Sequence, residues 1–219
     1  MQATQYKVVE IFDSIEGEGK RAGKTATFVR LAGCNLRCSF CDTMYAVSTD
    51  CDYQIKTADE ILKRAASFSR VTLTGGEPLL AAGVVELIKA FADSGVEVNI
   101  ETNGSVDISE FLEIPNVFFT IDYKLPSSGV TGEMHLPNFD KLRPTDVLKL
   151  VVGNEKDLAH GLQFLSGLKS QPQIYIGEVY GSGMLQTIVD KMLTEPVVKN
   201  ANLQLQFHKI VWDADERGV

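Results

Sequence analysis

The chain predicts an α/β fold built as an incomplete barrel, and three observations carry that expectation. Apolar, β-branched runs of strand length alternate with amphipathic helical segments from residue 25 onward. Polar or glycine-rich residues recur where those strand segments end, at Cys34, Gly75–Gly76, Thr102–Asn103 and Lys124. That edge is where parallel α/β sheets assemble their sites. The chain has 219 residues, short of the ~250 that eight full β/α units need. It has no internal repeat, low-complexity tract or long linker, so residues 1–219 read as one compact domain.

Each element follows from its residues. TATFVRLAG (25–33) is β-rich and opens into a cysteine loop. Thr57 and Glu60 form a capping box for the helix TADEILKRAASF, with Ile61, Ala65 and Phe68 on one face. RVTLTGG (70–76) is a short apolar strand. LAAGVVELIKAFADSG (80–95) places Val84, Leu87, Ile88 and Phe91 on one helical stripe and stops at Gly95. EVNIETNG is a strand, a short helix follows near ISEFLEI, and VFFTIDYK is a strand. DVLKLVVGN is a strand leading to Asn154, the cap of EKDLAHGLQFLSGL. QIYIGEVY is a strand, MLQTIVDKMLTEP a helix, and LQLQFHKIVW a final strand, about seven strands in all. Residues 126–144 form the one extended irregular segment, a candidate lid or edge loop.

Composition narrows the function classes. The chain is 44% hydrophobic and 23% charged, with a net charge of −8 and no Lys/Arg run. Nucleic acid is therefore not an expected direct partner. No stretch approaches the ~20 apolar residues of a membrane span, and the N-terminus lacks the pattern of a signal peptide. A cytoplasmic location is expected. Thiols stay reduced there, and a tight cysteine cluster points to metal or redox chemistry.

That cluster is CNLRCSFC, with cysteines at 34, 38 and 41. Three thiolates leave three readings open. One is structural zinc completed by Cys51, and another is catalytic zinc with a water. The third is a 4Fe-4S cluster with one iron free of protein ligands.

The surrounding residues resemble a known superfamily. CNLRCSFC, with Phe40 before the third cysteine, resembles the CxxxCxxC signature of the radical S-adenosylmethionine (SAM) proteins, and Gly75-Gly76-Glu77-Pro78 resembles their segment for the SAM amino group. FDSIEGEG (12–19), FVRLAGC (28–34), CDT (41–43), TGGEP (74–78), ETNGS (101–105), and the tail HKIVW (208–212) with RGV (217–219) resemble the 7-carboxy-7-deazaguanine synthase family across the whole chain. Glu16 stands where many members carry Gln, and Asp122-Tyr123-Lys124 where many have Ser-Pro-Lys.

The resemblance implies a partial (β/α)6-type TIM barrel and a lyase requiring a 4Fe-4S cluster, SAM and Mg2+. It implies conversion of 6-carboxy-5,6,7,8-tetrahydropterin to 7-carboxy-7-deazaguanine with loss of ammonia. The expected partners are a small-molecule pterin, a flavodoxin- or ferredoxin-like reductant and a second copy of the chain. Cys34, Cys38 and Cys41 would ligate the cluster and Cys51 would not. Thr43 would ligate magnesium. Ile15, Glu16, Gly17, Arg30, Thr74, His208 and the carboxylate of Val219 would meet the substrate. Phe40, Cys41, Asp42, Gly75, Gly76, Glu77, Glu101, Asn103, Lys124, Gly177, Glu178 and Val179 would meet SAM.

Several of these residues have plainer readings. Arg30, on a strand, needs an anionic partner, and a carboxylate suits its fork. Gly75 and Gly76 permit close approach of a ligand or merely form a tight turn. Glu77 is also an acid at a helix N-terminus. His208 on an apolar strand is also an ordinary core histidine. Two alternatives carry different consequences: an activase that makes a glycyl radical on a partner protein, and a zinc-stabilised binding module without catalysis.

Overall fold

The computed structural model describes residues 4–219. In chain order the elements are β1 Gln5–Ile15, β2 Thr25–Leu31, β3 Gln54–Thr57, α1 Ala58–Ala65, β4 Arg70–Gly75, α2 Val84–Asp93, β5 Glu97–Thr102, β6 Val117–Tyr123, α3 Pro137–Asp140, β7 Val147–Val152, α4 Glu155–Ser166, β8 Gln173–Glu178, α5 Leu185–Thr194, β9 Asn202–Gln204 and α6 His208–Val211. The nine strands of the described residues form one sheet, in the order β3-β1-β2-β4-β5-β6-β7-β8-β9. From β2 to β9 every neighbouring pair is parallel. β1 runs antiparallel to both β2 and β3. The sheet stays open, because β3 and β9 are its two edges.

The strands have a period of two, and the two faces differ sharply. Val29, Leu31, Val71, Leu73, Val98, Ile100, Phe119, Ile121, Leu148 and Leu150 are buried. They form one core with Ile61, Leu87, Ile88, Phe91, Leu158 and Ile188 of the helices. The alternate positions Phe28, Arg30, Thr74, Glu101, Thr120, Asp122, Lys149 and Val151 line a cavity instead. A strand turns successive side chains to opposite faces, so this one alternation builds both the core and the site.

The helices start and stop for local reasons. Thr57 and Glu60 make the capping box of α1, with Ile61 and Ala65 buried. α2 buries the expected stripe but begins at Val84, because Pro78–Leu80 forms a separate 3-10 turn. Asn154 caps α4 by accepting from the amides of Lys156 and Asp157.

Three sequence expectations need correction. Among the described residues the sheet has nine strands, since β1 and β3 also join it. β1 lacks a clean alternation because its register slips between Val8 and Glu10. The final run LQLQFHKIVW is not one strand: β9 ends at Gln204, and α6 carries His208. The Phe207 amide donates to the Gly17 carbonyl (3.0 Å), which draws the chain off the sheet edge and over the strand ends. Residues 126–144 are packed and are not a lid. Met134, Phe139 and Leu142 join the core, and none of the segment lines the cavity. Asn138 anchors the segment through the carbonyls of Gly104 (3.2 Å) and Val106 (2.7 Å) and the amide of Ile108 (3.1 Å).

Candidate active site

The cavity holds about 740 Å³ and lies across the C-terminal ends of the parallel strands, with Gln206, His208, Lys209 and residues 214–219 also lining it. That size suits a cofactor and a small substrate together. Its walls include Phe12 and Phe28, stacked with centroids 5.0 Å apart, a flat apolar surface fit for a planar ring.

The cysteine loop leaves β2 and is held at its root by backbone bonds. Gly33 N donates to Ala46 O (2.8 Å) and Cys34 N to Val47 O (2.9 Å). Glu77 N donates to Gly33 O (2.8 Å), tying the loop to the turn after β4. Gly75 and Gly76 are glycines for packing. A Cβ on Gly75 would lie 2.4 Å from Leu31 O, and one on Gly76 would lie 2.4 Å from Gly33 O and 2.7 Å from Cys34 Cβ. The glycine pair therefore lets β4 press against the root of the cysteine loop, and it also lines the cavity.

Cys34, Cys38 and Cys41 are free, partly buried and face the cavity. Burial pushes the thiols of Cys38 and Cys41 up from their ordinary value. Cys34 Sγ accepts from Leu36 N (3.4 Å) and faces Asn103 Nδ2 (3.6 Å). Cys51 is free and does not line the cavity. Among the described residues no three Cys, His, Asp or Glu gather as the ligands of a single ion would. A cluster, whose irons take separate thiolates, does not ask for that convergence. Three cavity-facing thiols with a hydrogen-bond donor beside one sulfur fit an iron–sulfur cluster.

Glu77 lies beneath this floor, not in it. Its carboxylate accepts from Leu79 N (3.1 Å), Thr102 Oγ1 (2.9 Å) and Asn103 N (2.7 Å), and burial pushes its pKa up to about 7. It positions Asn103, which does line the cavity. Glu16 also lies outside the cavity. Its carboxylate is buried one layer below Thr74, paired with Arg21 Nη2 (2.5 Å) and with Thr72 Oγ1. Its neighbours Ile15 and Gly17 do reach the cavity. Gly177 does not line it; a Cβ there would meet Gln204 O at 2.9 Å, so this glycine seats β9. The remaining expected residues, Arg30, Phe40, Asp42, Thr43, Thr74, Glu101, Lys124, Glu178, Val179, His208 and Val219, share the one cavity.

A charged band crosses the middle of the site. Lys124 Nζ is 2.8 Å from Asp122 Oδ2, and Lys149 Nζ is 2.6 Å from Glu18 Oε2 and 3.3 Å from Asp122 Oδ1. Burial would lower the pKa of Lys149, but Asp122 and Glu18 hold it well above its ordinary value. Burial would raise that of Asp122, but Lys124 and Lys149 hold it low. Glu101 is pushed up to about 7, chiefly by burial, against the pull of Lys149. Arg30 Nε meets Glu10 Oε1 at 2.7 Å. Thr43 Oγ1 donates to Asp42 Oδ1 (3.0 Å) at the cavity wall. Burial lowers the pKa of His208, whose ring packs where a Cβ on Gly17 would fall, 2.1 Å from Nδ1.

Sequence reasoning missed Lys149, Glu18, Tyr45, Phe12 and Arg217 as cavity residues. Lys149 left a signal, a lone lysine inside the apolar strand VLKLVV. Tyr123 departs from the family pattern without touching the site. It stacks on Phe164 (3.7 Å between centroids) and hydrogen-bonds His160 (3.0 Å) on the helix side.

Comparison with known proteins places this geometry. Residues 28–130 match the family model of the Radical SAM superfamily. The fold resembles the crystal structure of QueE from Escherichia coli, with a TM-score of 0.75, 21% identity, and 92% of this chain and 94% of that one covered. It also resembles that of Streptococcus suis SuiB bound to S-adenosylmethionine, with a TM-score of 0.56, 16% identity, and 78% and 44% covered. The open, mostly parallel sheet with a cysteine loop after its first parallel strand is that of a radical SAM protein. The chain is 44% identical to the 7-carboxy-7-deazaguanine synthase of Clostridium acetobutylicum over 98% of this chain and 99% of the relative. It is 36% identical to that of Methanospirillum hungatei, with 96% and 87% covered. The chain belongs to the 7-carboxy-7-deazaguanine synthase family.

Proposed function

We propose that this chain is a radical SAM lyase converting 6-carboxy-5,6,7,8-tetrahydropterin to 7-carboxy-7-deazaguanine with loss of ammonia. One observation carries the reading: a single cavity joins three free cysteines to Arg30, Thr74, His208 and Val219. Whole-length similarity to synthases of that name supports it.

Cys34, Cys38 and Cys41 would hold a 4Fe-4S cluster. Gly75, Gly76, Asn103, Glu101, Lys124, Glu178 and Val179 line the same cavity and would hold SAM, with Phe40 and Asp42 from the loop. When bound, the cluster and SAM supply one-electron, hydrogen-abstracting chemistry. The chain's own residues position and shield. Arg30 takes the substrate carboxylate, and Phe12 and Phe28 offer a face to the ring. Thr74, the backbone at Ile15 and Gly17, His208 and Val219 address the ring's polar edge. The tail keeps water out. Thr43, beside Asp42, supplies oxygen ligands for Mg2+, an ion that keeps several waters and accepts such an incomplete protein site. A flavodoxin- or ferredoxin-like protein would deliver the electron, in the cytoplasm, to a homodimer. No helix among the described residues is long and apolar enough to cross a membrane.

The test is product analysis on anaerobically reconstituted protein with the carboxypterin, SAM and a reductant, in chelated and magnesium-replete arms. The deazaguanine should form, faster with magnesium, and Thr43→Val should lose that stimulation. Cys51→Ala should keep iron and turnover, whereas Cys34→Ala should lose both. Zinc in place of iron and sulfide, or no deazaguanine from iron-loaded protein, would refute the reading.

A further inference from the structure

Arg30 is held from behind by a device in the strand pairing. In the β1–β2 ladder Val8 lies opposite Leu31, yet Glu10 lies opposite Arg30. Two steps along β1 match one along β2, so Val9 is the extra residue of a β-bulge. An unbroken register would set Glu10 opposite Val29, a core residue, on the apolar face of the sheet. The bulge re-aims Glu10 at Arg30.

Glu10 Oε1 accepts two hydrogen bonds, from Arg30 Nε (2.7 Å) and from the Tyr45 hydroxyl (2.8 Å). Arg30 and Tyr45 line the cavity, whereas Glu10 does not. Nε is the guanidinium nitrogen that bonds within the described residues, which leaves the Nη1–Nη2 end for a ligand. Tyr45 stands four residues after Cys41, so the same carboxylate oxygen ties the arginine to the cysteine loop. Arg217 Cζ lies 3.9 Å from the Tyr45 ring centroid, and Arg30 Cζ lies 5.7 Å from it. Two guanidinium groups therefore neighbour one ring at the cavity wall.

We propose that Glu10 and Tyr45 are positioning residues for the carboxylate subsite. They fix the Nε edge of Arg30 so that its Nη1–Nη2 end meets the substrate carboxylate, in step with the loop that carries the cysteines. This rests on the reading that Arg30 receives that carboxylate. A fixed fork has already lost the rotamer freedom that binding would otherwise cost, and a bidentate contact needs the plane of the fork set.

The sign of the effect separates positioning from mere charge. If Glu10 acted only as a negative charge near an anion site, removing it would tighten binding of an anionic pterin. Positioning requires the reverse. Equilibrium binding of 6-carboxytetrahydropterin and of its 6-carboxamide is measured with cluster- and SAM-loaded protein, without reductant. Glu10→Ala and Tyr45→Phe should weaken carboxylate binding roughly 10- to 100-fold. Carboxamide binding, iron content and SAM affinity should stay near wild type, and KM should rise with kcat little changed. Glu10→Gln, which keeps the shape and one acceptor, should recover part of the loss and serves if Glu10→Ala does not fold. Unchanged or tighter carboxylate binding in the Glu10 variants overturns the proposal. Wild-type protein that binds neither pterin refutes the functional reading, and this inference with it.

Discussion

Glu77 makes no contact with the cavity, yet it decides where Asn103 stands. Three donors converge on its carboxylate, and burial still raises its pKa to about 7. The folded protein therefore keeps a proton on Glu77 at a pH where an unfolded chain, near 4.5, has released it. Such a group adds stability that is full below about 4.5 and is lost as pH rises through about 7. Denaturant unfolding of the cofactor-free protein should show this fall between pH 5 and 7, with Glu101 contributing in the same direction. Glu77→Gln should flatten the slope and lower overall stability, since an amide NH2 would then face amide donors. An unchanged slope would mean that Glu77 is ionised throughout.

At the scale of elements, the join between β4 and the cysteine loop is the tightest feature of the site. Gly76 has no room for a methyl group: its Cβ would lie 2.4 Å from Gly33 O and 2.7 Å from Cys34 Cβ. Gly76→Ala should displace the loop, because backbone cannot swing aside as a flexible side chain can. Overpacking of this kind costs about 1–3 kcal/mol. The helices should survive, so far-UV circular dichroism should match wild type. Iron retained after reconstitution should fall at least severalfold. Full iron loading in Gly76→Ala would show that the loop tolerates the shift.

Across the whole molecule, the site belongs to no single element. The strands supply the wall, the loop supplies thiols, and the tail supplies Arg217, Gly218 and Val219. The tail packs lightly, and no residue from Asp213 to Val219 is buried. Ending the chain at Trp212 should therefore leave thermal stability nearly unchanged, since exposed positions shift stability by within about 0.5 kcal/mol. The same truncation should keep iron and weaken pterin binding by about tenfold or more, since it removes the Arg217 guanidinium and the stretch of cavity wall formed by Gly218 and Val219. Undiminished pterin binding would take the tail out of the site.

What the sequence determined alone was whatever depends on local pattern. Period-two alternation marked the central strands, the Thr57–Glu60 box and Asn154 marked two helix starts, and the cysteine spacing with its flanking motifs marked the cysteine loop of the site. β1 was hidden because its bulge at Val9 breaks the alternation that makes strands legible, and the same bulge aims Glu10. Tertiary structure alone decided which polar residues face the cavity and which support it from behind. Glu16 and Glu77 stand in the motifs beside true cavity residues, yet Arg21 and Thr72 claim the first, and Leu79, Thr102 and Asn103 the second. Lys149 and Tyr45, outside every motif, face the cavity. The reason is that a buried polar group must find its partners wherever the fold brings them, and those partners here lie 25 to 56 residues away for Glu77–Thr102 and Glu16–Thr72. Spacing along a chain does not encode such distances; the stacking of parallel strands does.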